Sequence, residues 1–257
     1  MRVRPVLLTV VTLLVLVYVG VCVALFALQR SLIYFPQPAS AVAGTKAIAL
    51  SIADANVQVT VRESLGTKAL VYFGGNGEDV NRSLGNLAVA FPDRSIYLMH
   101  YRGYGGSTGK PSELALVADA LSLFDEVHAQ HDDVIAIGRS LGSGVAIQLA
   151  SQRAVSRLVL VTPYDSVLNL AAKQFPYFPV RWLLIDKFES WRYAAAVTAP
   201  TLVIAAEHDE TIPRASTEAL VAHFQGGVAT LKVVAGAGHN SISAGPEYAR
   251  MLAEADL

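Results

Sequence analysis

A chain of 257 residues with a formal net charge of −1 and a single cysteine can bury one sizeable core, but it can form neither an intramolecular disulfide nor a thiolate-held zinc cluster. Lys and Arg number 20 against 21 Asp and Glu, and no dense basic run with interleaved aromatics occurs, so the composition argues against a nucleic-acid partner. The apolar share of 53% and the mean hydropathy of +0.42 are high for a soluble domain, and much of the excess lies in the N-terminal segment.

Residues 5–28 carry no charge and, at ~1.5 Å per residue, are long enough to cross a hydrocarbon core of ~30 Å. Residues 1–28 are therefore expected to form a transmembrane anchor. Arg2, Arg4 and the amino terminus precede the span, while only Gln29 and Arg30 follow it. This bias puts the N-terminus in the cytoplasm and the remainder on the extracytoplasmic side. A cleaved signal peptide is the rival, but the run exceeds the roughly 7–15 apolar residues of such segments and no Ala-x-Ala site closes it, so a retained signal anchor is expected. Cys22 follows the bulky Val21 and reads as a thiol within the span. Residues 29–46 read as an interfacial connector, apolar and aromatic at first and then broken by Pro36 and Pro38, with Tyr34 and Phe35 at headgroup level.

From residue 47 to residue 257 the pattern is that of one domain. Alternating runs at 47–53 and 57–63 predict an antiparallel pair. Strands are then expected at 69–73, 95–100, 134–138, 158–161, 202–206 and 231–234, and helices at 79–91, 112–129, 141–152, 214–224 and 246–255. Such alternation predicts an α/β fold with a mainly parallel sheet covered by helices on both faces. Residues 163–200 break the rhythm: they are rich in aromatics and interrupted by Pro176 and Pro179, and are expected to form a short lid. Tyr177, Phe178, Trp182 and Trp191 are its candidate substrate contacts, although most lid aromatics serve to pack a lid on its body.

Val134-Ile135-Ala136-Ile137-Gly138-Arg139-Ser140-Leu141-Gly142 runs from a β-branched strand pattern through Gly-x-Ser-x-Gly into a helical one. That sequence predicts a tight strand-to-helix turn exposing the Ser140 hydroxyl at a helix N-terminus, where the dipole and free N–H groups favour a developing anion. A serine hydroxyl needs a base and a group that orients the base. Of the histidines, His239 lies in Ala235-Gly236-Ala237-Gly238-His239-Asn240 just after the last expected strand and is the candidate base. Asp209, at the C-terminal end of the strand before it, is the candidate orienting acid, with Glu207, Glu210 and Asp165 as rivals. The order Ser140…Asp209…His239 fits such a triad. Acyl transfer also needs two N–H donors, each typically contributing ~3 kcal/mol. The N–H of Leu141 supplies one, and Phe73-Gly74-Gly75-Asn76-Gly77 supplies the other, with the N–H of Asn76 favoured. No Gly-Lys-Ser/Thr follows that loop, which argues against nucleotide binding.

Taken together, Tyr72 to Gly77, Tyr101-Arg102-Gly103-Tyr104-Gly105-Gly106-Ser107, Gly138 to Gly142, the Asp209 and Pro213 pair, and Gly238-His239 resemble the α/β-hydrolase superfamily, and within it the single-pass membrane-anchored serine hydrolases. The resemblance implies the α/β-hydrolase fold, triad roles for Ser140, Asp209 and His239, oxyanion donors at Asn76 and Leu141, and a structural role for residues 101–107 beside the site. Relatives usually carry His before the glycine of the oxyanion loop, where this chain has Gly74.

The expected function is hydrolysis of an ester or thioester through an acyl-enzyme, with no cofactor and no metal implied, because water is the only second substrate. A peptidase or amidase using the same residues, and a non-catalytic membrane-tethered binding module, are the alternatives. The expected partners are the bilayer, through the N-terminal helix, and a small-molecule or lipid-like acyl substrate; no obligate protein partner is evident. The short apolar connector holds the domain near the bilayer, and burial of an acyl chain under an aromatic lid contributes ~0.8 kcal/mol per CH₂, so an amphiphilic substrate is expected.

Overall fold

The computed structural model describes residues 3–52 and 54–256, so Arg2 and the expected strand end Ala53 lie outside the described residues. Helix α1 (Val3–Ile33) continues past residue 28 into the stretch expected to be a connector. Nothing between Gln29 and Ile33 stops it, since the first proline beyond is Pro36. The segment Pro5–Ile33 is long and apolar enough to cross a membrane, and its most apolar window is not buried against the rest of the protein. Tyr34 departs from its expected headgroup position: it is only 3% exposed, packs into the core and donates its hydroxyl to Asp186 at 3.1 Å. A buried carboxylate at Asp186 requires such donors, and Arg30 supplies another at 3.1 Å.

Strands β1 (Lys46–Ile52), β2 (Ala55–Arg62), β3 (Lys68–Phe73), β4 (Ser95–Met99), β5 (Asp133–Arg139), β6 (Arg157–Val161), β7 (Thr201–Ala206) and β8 (Ala229–Val234) form one sheet in the order β1-β2-β4-β3-β5-β6-β7-β8. The β1–β2 and β2–β4 pairs are antiparallel and every other pair is parallel. Period-2 side-chain alternation divides the core in two. Ala69, Val71 and Phe73 of β3 and Val134 and Ala136 of β5 face one layer, which contains Leu116, Leu123 and Phe124 of α3 (Glu113–His128) and Val145, Ile147 and Leu149 of α4 (Leu141–Ala150). Leu70, Tyr72, Ile135 and Ile137 face the opposite layer, where Leu84 and Leu87 of α2 (Leu84–Ala90) meet Tyr248 and Leu252 of α9 (Pro246–Ala253). The helix expected at 79–91 begins as a 3-10 turn, Val80–Ser83, because the Asp79 side chain caps it by accepting the N–H of Asn81.

The remaining helices are α5 (Val167–Gln174), α6 (Val180–Leu183), α7 (Trp191–Ala194) and α8 (Arg214–Val221). Pro176 and Pro179 fall between α5 and α6 and keep them separate. Phe73 pairs with Gly138 and Gly138 with Leu160, so the C-terminal ends of β3, β5 and β6 lie side by side and their loops open onto one edge of the sheet.

Candidate active site

Ser140 stands between β5 and α4 with φ 49° and ψ −117°, a conformation that costs a non-glycine residue energy and persists only where its surroundings impose it. The surroundings are backbone. A Cβ on Gly138 would lie 2.3 Å from the Gly142 carbonyl oxygen, and one on Gly142 would lie 2.1 Å from that of Phe73. The Ser140 N–H donates to the Val161 carbonyl at 2.9 Å, tying the turn to β6. Only a strand and helix this close present the hydroxyl at the edge of the sheet.

His239 reaches that hydroxyl from the loop after β8. Its Nε2 is 3.0 Å from Ser140 Oγ, and its Nδ1 is 2.9 and 3.0 Å from the two carboxylate oxygens of Asp209. An ionised carboxylate can only accept, so Nδ1 carries the proton and Nε2 is left to accept from Ser140. Burial works against the charge on Asp209, but hydrogen bonds from His239 and from the N–H groups of Ile212 and Thr211 outweigh it and hold the carboxyl below its ordinary value. The rival acids are engaged elsewhere: Glu207 accepts the Gly236 N–H, Glu210 accepts the N–H of His239, and Asp165 accepts from Ser216 and Asn169. His100 is occupied by Thr60, and burial pushes its pKa down.

The loop after β3 passes beside Ser140, with an ideal Cβ on Gly75 lying 3.7 Å from the Ser140 Cβ. The Gly75 N–H is consumed by Glu78 Oε2 at 2.8 Å, whereas among the described residues no acceptor takes the N–H of Asn76 or Leu141. The two favoured donors are thus unpaired beside the serine hydroxyl. Glu78 is a residue that sequence reasoning missed. Its carboxylate also accepts from Tyr72 at 2.8 Å, from Ser83 at 2.6 Å and from Arg139 at 3.3 Å. Tyr101 donates to the Gly74 carbonyl at 2.8 Å and Tyr104 to that of Asn76 at 2.5 Å, so residues 101–107 clamp the loop directly. The Asn76 side chain donates to the Ile33 carbonyl at 2.9 Å and the Phe35 N–H donates to the Asn76 carbonyl at 2.9 Å, which joins the end of α1 to the same loop. With these anchors the loop is fixed around Gly74 without a histidine there. The available signal was the carboxylate two residues past Asn76 and the two tyrosines after β4.

Ser140 opens into a cleft of about 700 Å³, lined on one side by Arg139, Glu78 and Asn76 and on the other by Leu32, Ile33, Val167 and Leu170. None of the four aromatics expected to contact substrate lines this cleft. Tyr177 and Trp182 are 85% and 88% exposed, and Trp191 packs against His223 beneath Arg192. Phe178 lines a second, apolar pocket and stacks on Tyr18 of α1. Within the stretch expected as a lid, Val167 and Leu170 of α5 line the cleft while Phe178 turns away to α1, so the apolar wall of the cleft comes from α1 and α5.

Residues 74–197 match the Alpha/beta hydrolase family. The chain is 37% identical over 256 residues to Rv2307c of Mycobacterium tuberculosis (strain ATCC 25618 / H37Rv), itself uncharacterised, covering 91% of this chain and 88% of that one. It is 33% identical over 162 residues to the Alpha/beta hydrolase domain-containing protein aho-3 of Caenorhabditis elegans, covering 62% of this chain and 47% of that protein. Among solved structures, the Pyrococcus furiosus esterase Pf2001 superposes with a TM-score of 0.69 at 17% identity, over 86% of this chain and 97% of that one, a likeness of fold. The chain belongs to the α/β-hydrolase family.

Proposed function

We propose that this chain is a membrane-anchored serine hydrolase that cleaves ester or thioester bonds of amphiphilic or acylated substrates. The observation that carries this reading is the unbroken hydrogen-bonded series from Asp209 through His239 to Ser140, beside two unpaired N–H groups. In the proposed reaction Ser140 Oγ attacks the acyl carbon as His239 Nε2 takes its proton. The oxyanion that forms accepts from the N–H groups of Asn76 and Leu141. His239 returns the proton to the departing alkoxide or thiolate as the bond to the acyl carbon breaks, leaving an acyl-serine. Water then attacks that ester by the same steps in reverse, and the carboxylic acid leaves with Ser140 restored. Asp209 stays ionised throughout and holds the imidazole in one tautomer.

A peptidase would need a free carboxylate to hold a substrate amine. The acids of the cleft are already engaged, Glu78 by four donors and Asp79 by the N–H groups of Ser40 and Asn81, which favours the ester reading. A non-catalytic module leaves no reason for the 3.0 Å approach of His239 to Ser140. We place the N-terminus in the cytoplasm and the domain outside, with residues 1–28 as anchor, 29–46 as connector, 47–257 as the hydrolase domain and a lid at about 163–200. The expected result for Ser140→Ala is a fall in p-nitrophenyl ester turnover of at least about 10³-fold with an unchanged melting temperature. A fall of less than ten-fold, or cleavage of a peptide panel without ester cleavage, would overturn the reading.

A further inference from the structure

The anchor does more in this fold than tether it. Behind the wall formed by Leu32, Ile33, Val167 and Leu170 lies a second pocket of about 200 Å³ between α1 and the α5–α6 lid, and these four residues line both spaces, so movement of their side chains alone would join the two. The added lining includes Leu25 and Phe26 from α1 and Ala171, Phe175, Phe178 and Leu183 from the lid. Gln29 is the one polar lining residue, and its carboxamide is used up: Nε2 donates to the carbonyls of Phe26 at 2.8 Å and Leu183 at 3.2 Å, and Oε1 accepts the Ile185 N–H at 2.7 Å. The space therefore offers a polar ligand nothing. A closed cavity of ~150 Å³ with Leu, Ile and Phe walls stays dry and admits benzene, so this one suits a chain of about eight carbons.

The pocket lies against the part of α1 that is apolar enough to lie in a bilayer. Tyr18 donates to the Tyr177 carbonyl at 2.9 Å and stacks on Phe178, so the lid follows α1 down to Tyr18, about 22 Å along the helix from Ile33. Along the same stretch the lid exposes Phe175, Tyr177, Trp182 and Ile185. Large apolar and aromatic side chains exposed beside a membrane helix suit the hydrocarbon boundary rather than water.

We propose that α1 and the α5–α6 lid together form the binding site for the acyl chain of the substrate, and that the chain enters it from the bilayer. The proposal rests on the hydrolase reading above for the reaction but not for the pocket, and it places Leu25, Phe26 and Ala171 as residues that set chain-length specificity. The carbonyl lies at Ser140, the chain passes Ile33 and Leu170, and its end lies between Phe26 and Phe178. Removing α1 removes one wall of the site.

The test uses the full chain in liposomes of ether-linked phosphatidylcholine. Ala171 lines only the second pocket, and Ala171→Trp fills it. The expected result is a ten-fold or larger drop in kcat/KM for p-nitrophenyl octanoate with the acetate ester changed less than about three-fold. An unchanged octanoate-to-acetate ratio would overturn the proposal. Photo-crosslinking with a diazirine-bearing octanoic acid gives a readout that needs no turnover. Adducts are expected on residues 25–33 and 167–184, and in Ala171→Trp they should vanish there while background adducts on 5–17 persist. Adducts confined to 5–17 in the unmodified chain would overturn the pocket. A chain that cleaves neither ester yet cross-links at 25–33 and 167–184 would overturn the hydrolase reading and leave the pocket standing.

Discussion

Around Ser140 the chain is held by backbone against backbone: Gly142 meets the Phe73 carbonyl, Gly138 meets Gly142, and the Ser140 N–H is tied to Val161. The lid is held otherwise. It rests on α1 through the Gln29 carboxamide, the Arg30–Asp186 pair and the contact of Tyr18 with Tyr177, and on Tyr34 just past the helix through its hydroxyl, and its short helices leave large apolar side chains uncovered. The first region has one conformation because any other would collide. The second has a conformation set by a few side-chain contacts, each of which a single substitution can remove. Geometry accurate enough for proton transfer belongs in the first, and adaptation to ligand size belongs in the second.

The largest expected effect comes from breaking the rigid side of this comparison. Gly142→Ala puts a methyl group 2.1 Å from a backbone oxygen that cannot swing away, and the protein should fail to fold, read as loss of a cooperative melt in detergent. Gly85→Ala in α2, where nothing lies within 4 Å, should raise stability by about 0.5–1 kcal/mol. Equal behaviour of the two alanines would remove the steric account of the elbow.

Asp209→Asn should leave the fold intact and lower kcat by roughly 10⁴-fold, because the amide no longer fixes the imidazole tautomer. The same substitution has a signed effect on acid stability. The folded Asp209 carboxyl sits below its unfolded value of about 3.9. Its contribution is therefore complete above that value and is lost as the pH falls through the lower folded value. Thermal melts from pH 6 to pH 2 should fall less steeply for Asp209→Asn than for the unmodified chain.

A smaller loss is expected at Glu78, which positions the loop bearing Asn76. Glu78→Gln keeps the shape but brings an amide N–H₂ against two of the four donors, and kcat per folded molecule, with the folded fraction fixed by the melt, should fall about 10- to 100-fold with KM little changed. The mildest effect belongs to the adaptable region. Arg30→Ala leaves Asp186 with the Tyr34 hydroxyl as a partner, so it should cost about 1–2 kcal/mol, raise KM for octanoyl more than for acetyl esters, and speed proteolysis between α5 and α6.

The same contrast explains what the sequence made legible. The sheet could be read because strands such as β3, with Leu70, Val71 and Tyr72 buried in two core layers, appear as short unbroken apolar runs set among helical patterns. Ser140, His239 and Asp209 could be singled out because glycines and loop positions at strand ends carry a steric meaning in one dimension. The lid aromatics carry none: Trp182 has the same apolar signature whether it faces substrate, core or bilayer, and it proved exposed. Tyr34 was misread for a related reason, since its partner Asp186 lies 152 residues away. Glu78 went unseen because its role appears only when the chain around it folds back so that Tyr72, Gly75 and Ser83 converge on one carboxylate and Arg139 reaches it from 61 residues away.

The central claim is that Ser140 is a nucleophile activated by His239, and covalent labelling tests it without knowledge of the natural substrate. The full chain in detergent, treated with a fluorophosphonate and mapped by peptide mass spectrometry, should carry one adduct, on Ser140 Oγ. Labelling should slow by orders of magnitude in His239→Ala and disappear in Ser140→Ala. Stoichiometric labelling of Ser140→Ala, or an unmodified chain that stays unlabelled while fully folded, would contradict the account.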